Sequence, residues 1–316
     1  MNSIPFLSPD EIRQRTPYPE LIEALDNVFR SNASAPPRHH HGIPQKTGPD
    51  ATLLLMPAWR PQGAMGVKVV NVYPSNGKRG LPAVHGVYLL FDGTTGQLTA
   101  VADGSEITAR RTAAASALAG RYVARKETRV MLMVGTGRLS RELIEAHRCI
   151  HPLEEILVWG RNRDKAKRVV YDLDDGSFSI RVADNLETAV PKADLISTAT
   201  LSCQPLVQGA WLKPGCHLDL VGAYRPDMRE TDDEVMRRAS AVFVDTRAGA
   251  IEEGGDLALA LKNQALSPDK IVAELSELAG GYRVQRTNDS ITVFKSVGAS
   301  IEDLAAAELC LKQHAP

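Results

Sequence analysis

A turn with the residues needed to bind phosphate lies within residues 129–142, RVMLMVGTGRLSRE. An apolar run ends at Gly135-Thr136-Gly137, and apolar residues at helical spacing follow it. The first glycine permits a tight bend, and the second lets the backbone approach a pyrophosphate on the N–H groups of the helix N-terminus. Ser140 replaces the third glycine of the dinucleotide pattern and is small enough for close packing. The pattern predicts a dinucleotide site in preference to a turn without a ligand. Its predicted residues are Gly135, Thr136, Gly137, Arg138 and Leu139.

The end of the next strand candidate, residues 155–159, indicates which nucleotide binds. An NAD site places Asp or Glu roughly 20 residues after the glycines to bind the ribose hydroxyls. Here Arg161, Asn162 and Arg163 follow the strand, and no acid stands at its tip. A carboxylate would repel a 2′-phosphate, whereas guanidinium groups pair with it in bidentate fashion. NADP(H) is therefore the expected cofactor and NAD(H) the second choice, and a solvated arginine-rich loop is the alternative interpretation.

Basic residues in the first 120 residues have the chemistry of a carboxylate receptor. Arg38 follows two prolines, Lys68 stands among valines in GVKVVN, and Arg110-Arg111 opens an alanine-rich helix candidate. A lysine within a strand is unusual unless it has a partner. Guanidinium and ammonium groups that converge beside a nicotinamide would bind a small carboxylate. Each residue taken alone is also consistent with a solvated charge.

The elements that must position these residues fall into two groups. Strand candidates alternate with helix candidates from residue 121 to 293, which predicts a doubly wound, mostly parallel α/β sheet of the Rossmann type. The first 120 residues predict an α+β domain with an antiparallel sheet that supplies the substrate side. The strand candidates of the whole chain are residues 53–59, 66–73, 86–91, 129–134, 155–159, 179–182, 195–199, 217–221 and 241–244.

Composition excludes several classes of protein. A net charge of -1 gives no basic excess for nucleic acid. No apolar run reaches the ~18 residues that a membrane span needs, and no secretory signal is visible, so a cytoplasmic enzyme is expected. The four cysteines form no C-x-x-C pair, and the run His39-His40-His41 has no carboxylate or cysteine at ligand spacing. We therefore expect no metal, and residues 36–50 are predicted to be a loop.

Six stretches of the chain match one known family: PPR (36–38), MGVKVVNVYPSN (65–76), ITARRTAAASALA (107–119), VGTGRLS (134–140), VGAYRPDMRETDDE (221–234) and FKSVGASIEDLAAA (294–307). On these stretches the chain resembles the ornithine cyclodeaminase/mu-crystallin family over nearly its whole length. This resemblance implies a homodimer of two-domain subunits that bind NAD or NADP. It also implies that residues 1–120 and 294–316 form a substrate and dimerisation domain around an inserted nucleotide domain, residues 121–293.

The resemblance also implies roles for single residues. Arg38, Lys68 and Arg111 match the family's substrate-carboxylate and catalytic positions, and Arg111 is preferred to Arg110 because it directly precedes a Thr-Ala pair. Thr198 and Thr200 belong to the segment that borders the nicotinamide ribose in the family. Ser296 matches the link back into the first domain and is also a candidate for contact with the nicotinamide carboxamide.

One position departs from the cyclodeaminase pattern. Those enzymes carry an aspartate in the loop that begins here at Gly222, whereas this sequence has Tyr224, with Asp227 three positions later. A phenol with a pKa of about 10 is a poor base at neutral pH. We therefore expect an NAD(P)H-dependent reductase of small imine or 2-oxo carboxylates, resembling ketimine or pyrroline-2-carboxylate reductases, with Tyr224 or a water as proton source and Lys68 as carboxylate ligand or proton relay. The alternatives are an ornithine cyclodeaminase and a non-catalytic NADPH-binding protein.

Overall fold

The computed structural model describes residues 4–312, and its chain divides into two compact units. One unit runs up to Thr112 and resumes at Ala299, and the other extends from Ala113 to Gly298. The strands are β1 (Phe6–Leu7), β2 (His39–Ile43), β3 (Ala51–Trp59), β4 (Ala64–Val72), β5 (Val84–Asp92), β6 (Leu98–Asp103), β7 (Val130–Val134), β8 (Glu155–Trp159), β9 (Ser179–Val182), β10 (Leu195–Thr198), β11 (His217–Leu220), β12 (Ala241–Val244), β13 (Ile271–Glu274) and β14 (Thr292–Lys295). The α-helices are α1 (Pro9–Arg15), α2 (Tyr18–Arg30), α3 (Gly104–Val123), α4 (Arg138–Arg148), α5 (Arg163–Leu173), α6 (Leu186–Ala189), α7 (Asp233–Arg238), α8 (Arg247–Glu252), α9 (Gly255–Lys262), α10 (Leu275–Ala279) and α11 (Ser300–Lys312).

The inserted unit begins and ends at other residues than the expected 121 and 293. At its start, the unit already includes residues 113–120 of α3, and Gly120 packs so closely against it that a Cβ there would lie 2.9 Å from His151 Nε2. At its end, β14 pairs with β11 as far as Lys295. Strand pairing therefore carries the unit past the predicted limit.

The first unit contains a six-stranded sheet in the order β1-β6-β5-β4-β3-β2. Its pairings are antiparallel except that of β1 with β6. The ladder aligns Met56, Lys68, Tyr88 and Ala102 across four strands, and all four are buried. Helix α11 packs against β3, β4 and β5 and against α2. Lys68 thus lies in a buried layer.

The segment that contains the three histidines is a strand and not the predicted loop. Backbone pairing of β2 with β3 places His39, His40 and His41 opposite Leu55, Leu54 and Leu53. Backbone hydrogen bonds to β3 form this strand although its composition is polar. The polar side chains are tolerated because β2 is an edge strand whose histidines are all exposed. Within residues 4–312, no group of three His, Cys, Asp or Glu residues is arranged to hold a metal ion.

The inserted unit contains an eight-stranded sheet in the order β13-β12-β14-β11-β10-β7-β8-β9. Every pairing is parallel, and the central strands are buried on both faces, as the apolar runs predict. The chain runs from β7 outward through β8 and β9 and then returns to pair β10 with β7. This reversal creates a switch point at the carboxyl ends of β7 and β10, where open α/β sheets bind ligands.

Helices long and apolar enough to cross a membrane are absent from residues 4–312.

Candidate active site

The predicted phosphate turn lies at the switch point of the parallel sheet. Gly135 follows β7 with a φ of 131°, and a Cβ there would lie 2.6 Å from the carbonyl oxygen of Ala199. Gly137 is the N-cap of α4, and no side chain of the described residues caps that helix. The space around Gly137 is open within the same part of the chain. The uncapped N–H groups of α4 fit an anionic pyrophosphate, because they carry partial positive charge.

The other predicted residues of this turn surround it. Thr136 contacts the end of β8, since a Cβ on Gly160 would lie 2.5 Å from Thr136 Cγ2. Arg138 is exposed on the first position of α4, and Leu139 beside it is half-buried. Ser140 is fully buried, consistent with its predicted role in close packing. The structure therefore brings these residues together at the carboxyl ends of β7 and β8.

The three residues predicted to recognise a 2′-phosphate differ in their surroundings. Asn162 is the N-cap of α5, and its side-chain oxygen accepts hydrogen bonds from the backbone of Asp164 and Lys165. Arg163 pairs with Asp184, and both side chains are largely exposed. An exposed pair of this kind contributes only about 0–1 kcal/mol, so a phosphate can displace the carboxylate. Arg161 is exposed on the loop before α5.

Thr198 and Thr200 both donate hydrogen bonds to Glu230. The Thr198 hydroxyl donates to Glu230 Oε2 (2.8 Å), and the Thr200 hydroxyl donates to Oε1 (2.8 Å). Thr198 is fully buried and Thr200 is half-buried. The hydroxyl of Thr198 is thus already bonded within the protein. We therefore predict that Thr198 positions the segment that follows β10 and does not bind the nicotinamide ribose through its hydroxyl.

The loop that carries Tyr224 holds no free acid near the cyclodeaminase position. Tyr224 follows β11 and is 44% exposed. Asp227 accepts two hydrogen bonds from Arg225, each 2.9 Å long. These bonds lower the pKa of Asp227 below its ordinary value. A carboxylate held in this way is a weaker base, which agrees with the sequence-based argument against amine deprotonation at this loop.

Ser296 lies directly after β14 and is buried. Its backbone N–H donates to the carbonyl of Leu220 at the end of β11 (3.2 Å). The next residues, Val297 and Gly298, both donate to the Asp245 carboxylate. Ser296 is therefore held at the same carboxyl edge of the sheet as the segment after β11.

Two of the three predicted carboxylate ligands meet on one acid of α11. Lys68 Nζ lies 2.9 Å from Asp303 Oδ1 and 2.8 Å from Oδ2. Arg111 Nε donates to Asp303 Oδ1 (2.9 Å), and its Nη1 donates to Glu302 Oε2 (2.7 Å). Lys68 and Arg111 are only 2% and 4% exposed. The shared carboxylate fixes both cations in one geometry.

The charges of this cluster shift the protonation of Lys68. Burial lowers the pKa of Lys68 from 10.5 to about 8, with Asp303 opposing the shift and Arg111 and Arg38 adding to it. Burial also acts to lower the pKa of Arg111, but Asp303 and Glu302 outweigh it and raise that pKa. Arg38 thus lies within electrostatic range of Lys68, and these cations are the groups of the cluster that attract a small anion.

The neighbouring arginine has a different environment. The guanidinium of Arg110 lies 3.8 Å from the ring centroid of Tyr18 and donates from Nε to the hydroxyl of Thr16 (3.3 Å). Arg110 thus anchors the start of α2, whereas Arg111 joins Lys68 at Asp303. These contacts agree with the preference for Arg111 in the sequence analysis.

Sequence reasoning missed the acids of the site. Asp303, Glu302 and Glu230 are fully buried, and each accepts hydrogen bonds from residues predicted to bind substrate or cofactor. A usable signal was present for α11, because SIEDLAAA places two adjacent acids in an otherwise apolar helix. For Glu230, which lies among other charged residues in PDMRETDDE, the sequence offers no such signal.

The chain is similar over nearly its whole length to several proteins that are named as reductases. The chain is 34% identical over 311 residues to a Delta(1)-pyrroline-2-carboxylate reductase of Paracoccus denitrificans, covering 96% of this chain and 94% of that protein. It is also 34% identical to the ketimine reductase mu-crystallin of Rattus norvegicus, covering 96% and 95%. The solved structure of Thermococcus litoralis Delta(1)-pyrroline-2-carboxylate reductase with NADH and L-proline superposes with a TM-score of 0.91 at 32% identity, covering 98% and 97%.

A family model described as the ornithine cyclodeaminase/mu-crystallin family matches residues 5–314. With the matched stretches and the shared fold, this shows that the chain belongs to the ornithine cyclodeaminase/mu-crystallin family.

Proposed function

We propose that this protein is an NAD(P)H-dependent oxidoreductase that reduces a small cyclic imine or 2-oxo carboxylate, with NADP(H) as the preferred cofactor. The observation that carries this proposal is the cationic cluster in which Asp303 holds Lys68 and Arg111. Its cations and their fixed donors suit one carboxylate of a small substrate. The pyrroline-2-carboxylate and ketimine reductases among its relatives support the same substrate class.

The roles of the chain's residues follow from their positions. Arg38, which is half-buried, and the fixed pair Lys68 and Arg111 bind the substrate carboxylate and so orient the acceptor carbon. The turn from Gly135 to Leu139 binds the pyrophosphate, and Arg161 and Arg163 bind the 2′-phosphate. When bound, the reduced nicotinamide supplies a hydride to the carbon next to the carboxylate.

A proton must accompany the hydride, because a protonated iminium accepts hydride better than a neutral imine. Tyr224 is the proposed proton source, directly or through a water, because its phenol is accessible and carries an O–H donor. Lys68 is the second candidate, since a pKa of about 8 lets an ammonium release a proton near neutral pH.

Substrate reduction separates this function from its alternatives. With pyrroline-2-carboxylate or piperideine-2-carboxylate, we expect net NADPH oxidation, followed by absorbance, and no ammonia release from ornithine. Proline and ammonia formed from ornithine without net cofactor change would replace the proposal with a cyclodeaminase. Cofactor binding without either reaction would favour the non-catalytic alternative.

A homodimer built through the first unit is part of this proposal. The face of the six-stranded sheet opposite Lys68 and Tyr88 carries aligned apolar residues that are only partly buried, and Val87 is 38% exposed. An apolar face of this kind suits a second copy of the chain. Sedimentation at micromolar concentration should give a dimer of 34.3 kDa chains, and a stable monomer would contradict the proposal. The aligned residues of this face are Leu55, Val67, Val69, Val87, Leu89 and Val101.

A further inference from the structure

Glu230 has an unusually complete set of hydrogen bonds for a carboxylate outside any helix or strand. Its side chain is fully buried. Oε1 accepts from the N–H (2.7 Å) and the hydroxyl (2.8 Å) of Thr200. Oε2 accepts from the Thr198 hydroxyl (2.8 Å) and from the N–H groups of Gly222 (2.8 Å) and Ala223 (3.3 Å). Five donors therefore converge on one carboxylate.

These donors come from the ends of two neighbouring parallel strands and from the segments that follow them. Thr198 is the last residue of β10 and Thr200 follows it, whereas Gly222 and Ala223 follow β11. Glycine is needed at position 222, because a Cβ there would lie 2.3 Å from the carbonyl oxygen of Thr200 and 2.4 Å from Glu230 Oε1. Glu230 therefore joins the two segments at the point of their closest approach.

Glu230 is itself held in place by its backbone. Its N–H donates to Asp256 Oδ1 (2.9 Å), and its carbonyl accepts from Leu206 (2.8 Å) and Val207 (3.0 Å). Asp256 Oδ1 also accepts from the N–H and the hydroxyl of Thr231, both at 2.9 Å. The carboxylate thus has a fixed support, and the segments it joins are fixed with it.

The segment after β10 also adjoins the phosphate turn. The carbonyl of Ala199 lies where a side chain on Gly135 would be, so the two turns are in contact. A dinucleotide whose pyrophosphate lies on α4 must extend from this turn across the carboxyl ends of β10 and β11 if its second half follows the sheet edge. That path runs over the segments that Glu230 joins.

We propose that Glu230 is a positioning residue, which holds Ala199–Thr200 and Gly222–Ala223 in the arrangement that receives the nicotinamide half of the cofactor. This inference rests on the proposed function, because it assumes a bound nicotinamide dinucleotide. Burial and the neighbouring charge of Asp256 raise the pKa of Glu230. The charge of Lys295 and the hydroxyls of Thr200 and Thr198 oppose that shift by favouring the ionised form.

The nearest substitution, Glu230→Gln, tests this role. Whichever way its amide is turned, an NH2 group must face a backbone N–H, so at least one segment loses its acceptor. We expect the dissociation constant of NADPH to rise about tenfold or more. That of adenosine 2′,5′-bisphosphate, which lacks the nicotinamide half, should change less than about twofold. Glu234→Gln, a half-exposed glutamate on α7, is the matched control and should change neither constant.

Thr200→Val covers the case in which Glu230→Gln does not fold. It removes one hydroxyl donor and keeps the backbone N–H, so it should weaken NADPH binding by a few-fold and leave the bisphosphate unchanged. A purely structural role would lower the melting temperature while leaving the ratio of the two constants as in the unmodified protein. That result, or an equal loss for both ligands, would overturn the proposal for Glu230.

The same measurements distinguish this inference from the proposed function. If the unmodified protein binds NADPH, shows the selective loss on Glu230→Gln and yet reduces no imine, the positioning role stands and the proposed reaction fails. If imine reduction is observed and the ratio of constants does not change, only the positioning role fails. If the unmodified protein binds neither NADPH nor NADH, both are overturned.

Discussion

Carboxylate binding should weaken above pH 8 because of a single buried ammonium group. Burial lowers the pKa of Lys68 to about 8, and only the protonated form attracts a carboxylate. Carboxylate binding is therefore strongest well below pH 8 and is lost as the pH rises through that value. At pH 9 about one tenth of Lys68 stays protonated, so the dissociation constant should rise about tenfold per pH unit above 8.

Furan-2-carboxylate is a suitable probe, since its ring has no group that titrates between pH 6 and 10 and a titrating imine would confuse the result. Its inhibition constant would be measured from pH 6.5 to 10 with saturating NADPH. In Lys68→Arg the constant should be flat above pH 8, because a guanidinium stays charged throughout that range. Lys78→Arg, an exposed lysine of the same unit, should retain the unmodified profile.

A variant of Asp303 tests the same argument in the same inhibition assay. Its charge is the largest influence that opposes the lowering of the Lys68 pKa. Asp303→Asn should therefore move the loss of binding to a pH below 8, while Arg111 keeps its bond to Glu302. An inhibition constant that stays flat from pH 7 to 10 in the unmodified protein would refute the argument. An unchanged alkaline loss in Lys68→Arg would refute it equally, since the titrating group would then lie elsewhere.

Three further predictions concern other parts of the chain. Replacing Arg161 and Arg163 by Ala should weaken NADPH binding by roughly 1–3 kcal/mol and NADH binding far less, as measured by titration. Tyr224→Asp should lower the rate of NADPH oxidation with a cyclic imine, and the unmodified protein should release negligible ammonia from ornithine. Burial lowers the pKa of His151 to about 3, so the neutral form is retained on folding and stability is lost as the pH falls below 6.5. His151→Gln should remove ~2 kcal/mol of the loss between pH 7 and pH 5 in urea unfolding, and His85→Gln, an exposed site, should not.

Each of these has an outcome that contradicts it. Equal affinity of the unmodified protein for NADPH and NADH would exclude 2′-phosphate recognition by Arg161 and Arg163. Robust ornithine turnover without substitution would show that Tyr224 does not prevent the lyase reaction. An identical acid profile for His151→Gln and the unmodified protein would place the acid-sensitive group elsewhere.

Most of the parallel sheet could be predicted because its signals are local. Residues 155–159, 179–182 and 241–244 are strands with the predicted limits. Strands β1, β2, β6, β13 and β14 were not predicted. Each is two to six residues long, and β14 is inserted between β11 and β12, a placement that depends on distant partners. Short strands of this kind are defined by the ladder they join and not by their own composition.

The site residues also differ in whether a local sequence signal reveals them. The glycine turn and the cations could be proposed from the sequence, because residue type and spacing within one segment carry the signal. Asp303 acts on Lys68, which lies 235 positions away, and Glu230 acts on Thr198, 32 positions away. Neither relation leaves a pattern in a single segment, so only the folded chain reveals them.

Buried acids therefore hold both groups of residues on which the proposed function depends: the cations at Asp303 and the segments joined by Glu230. Transfer of a carboxylate from water to the interior costs several kcal/mol unless donors or cations compensate for it. Asp303 is compensated by two cations and Glu230 by five donors, so each acid is stable only while those partners remain in place. The dependence is mutual: the acids fix Lys68, Arg111 and the segments after β10 and β11, and these groups compensate for the burial of the acids. Substitution of either acid should consequently disturb geometry and protonation together, which is why variants that change only one of the two, such as Lys68→Arg and Thr200→Val, are the more informative tests.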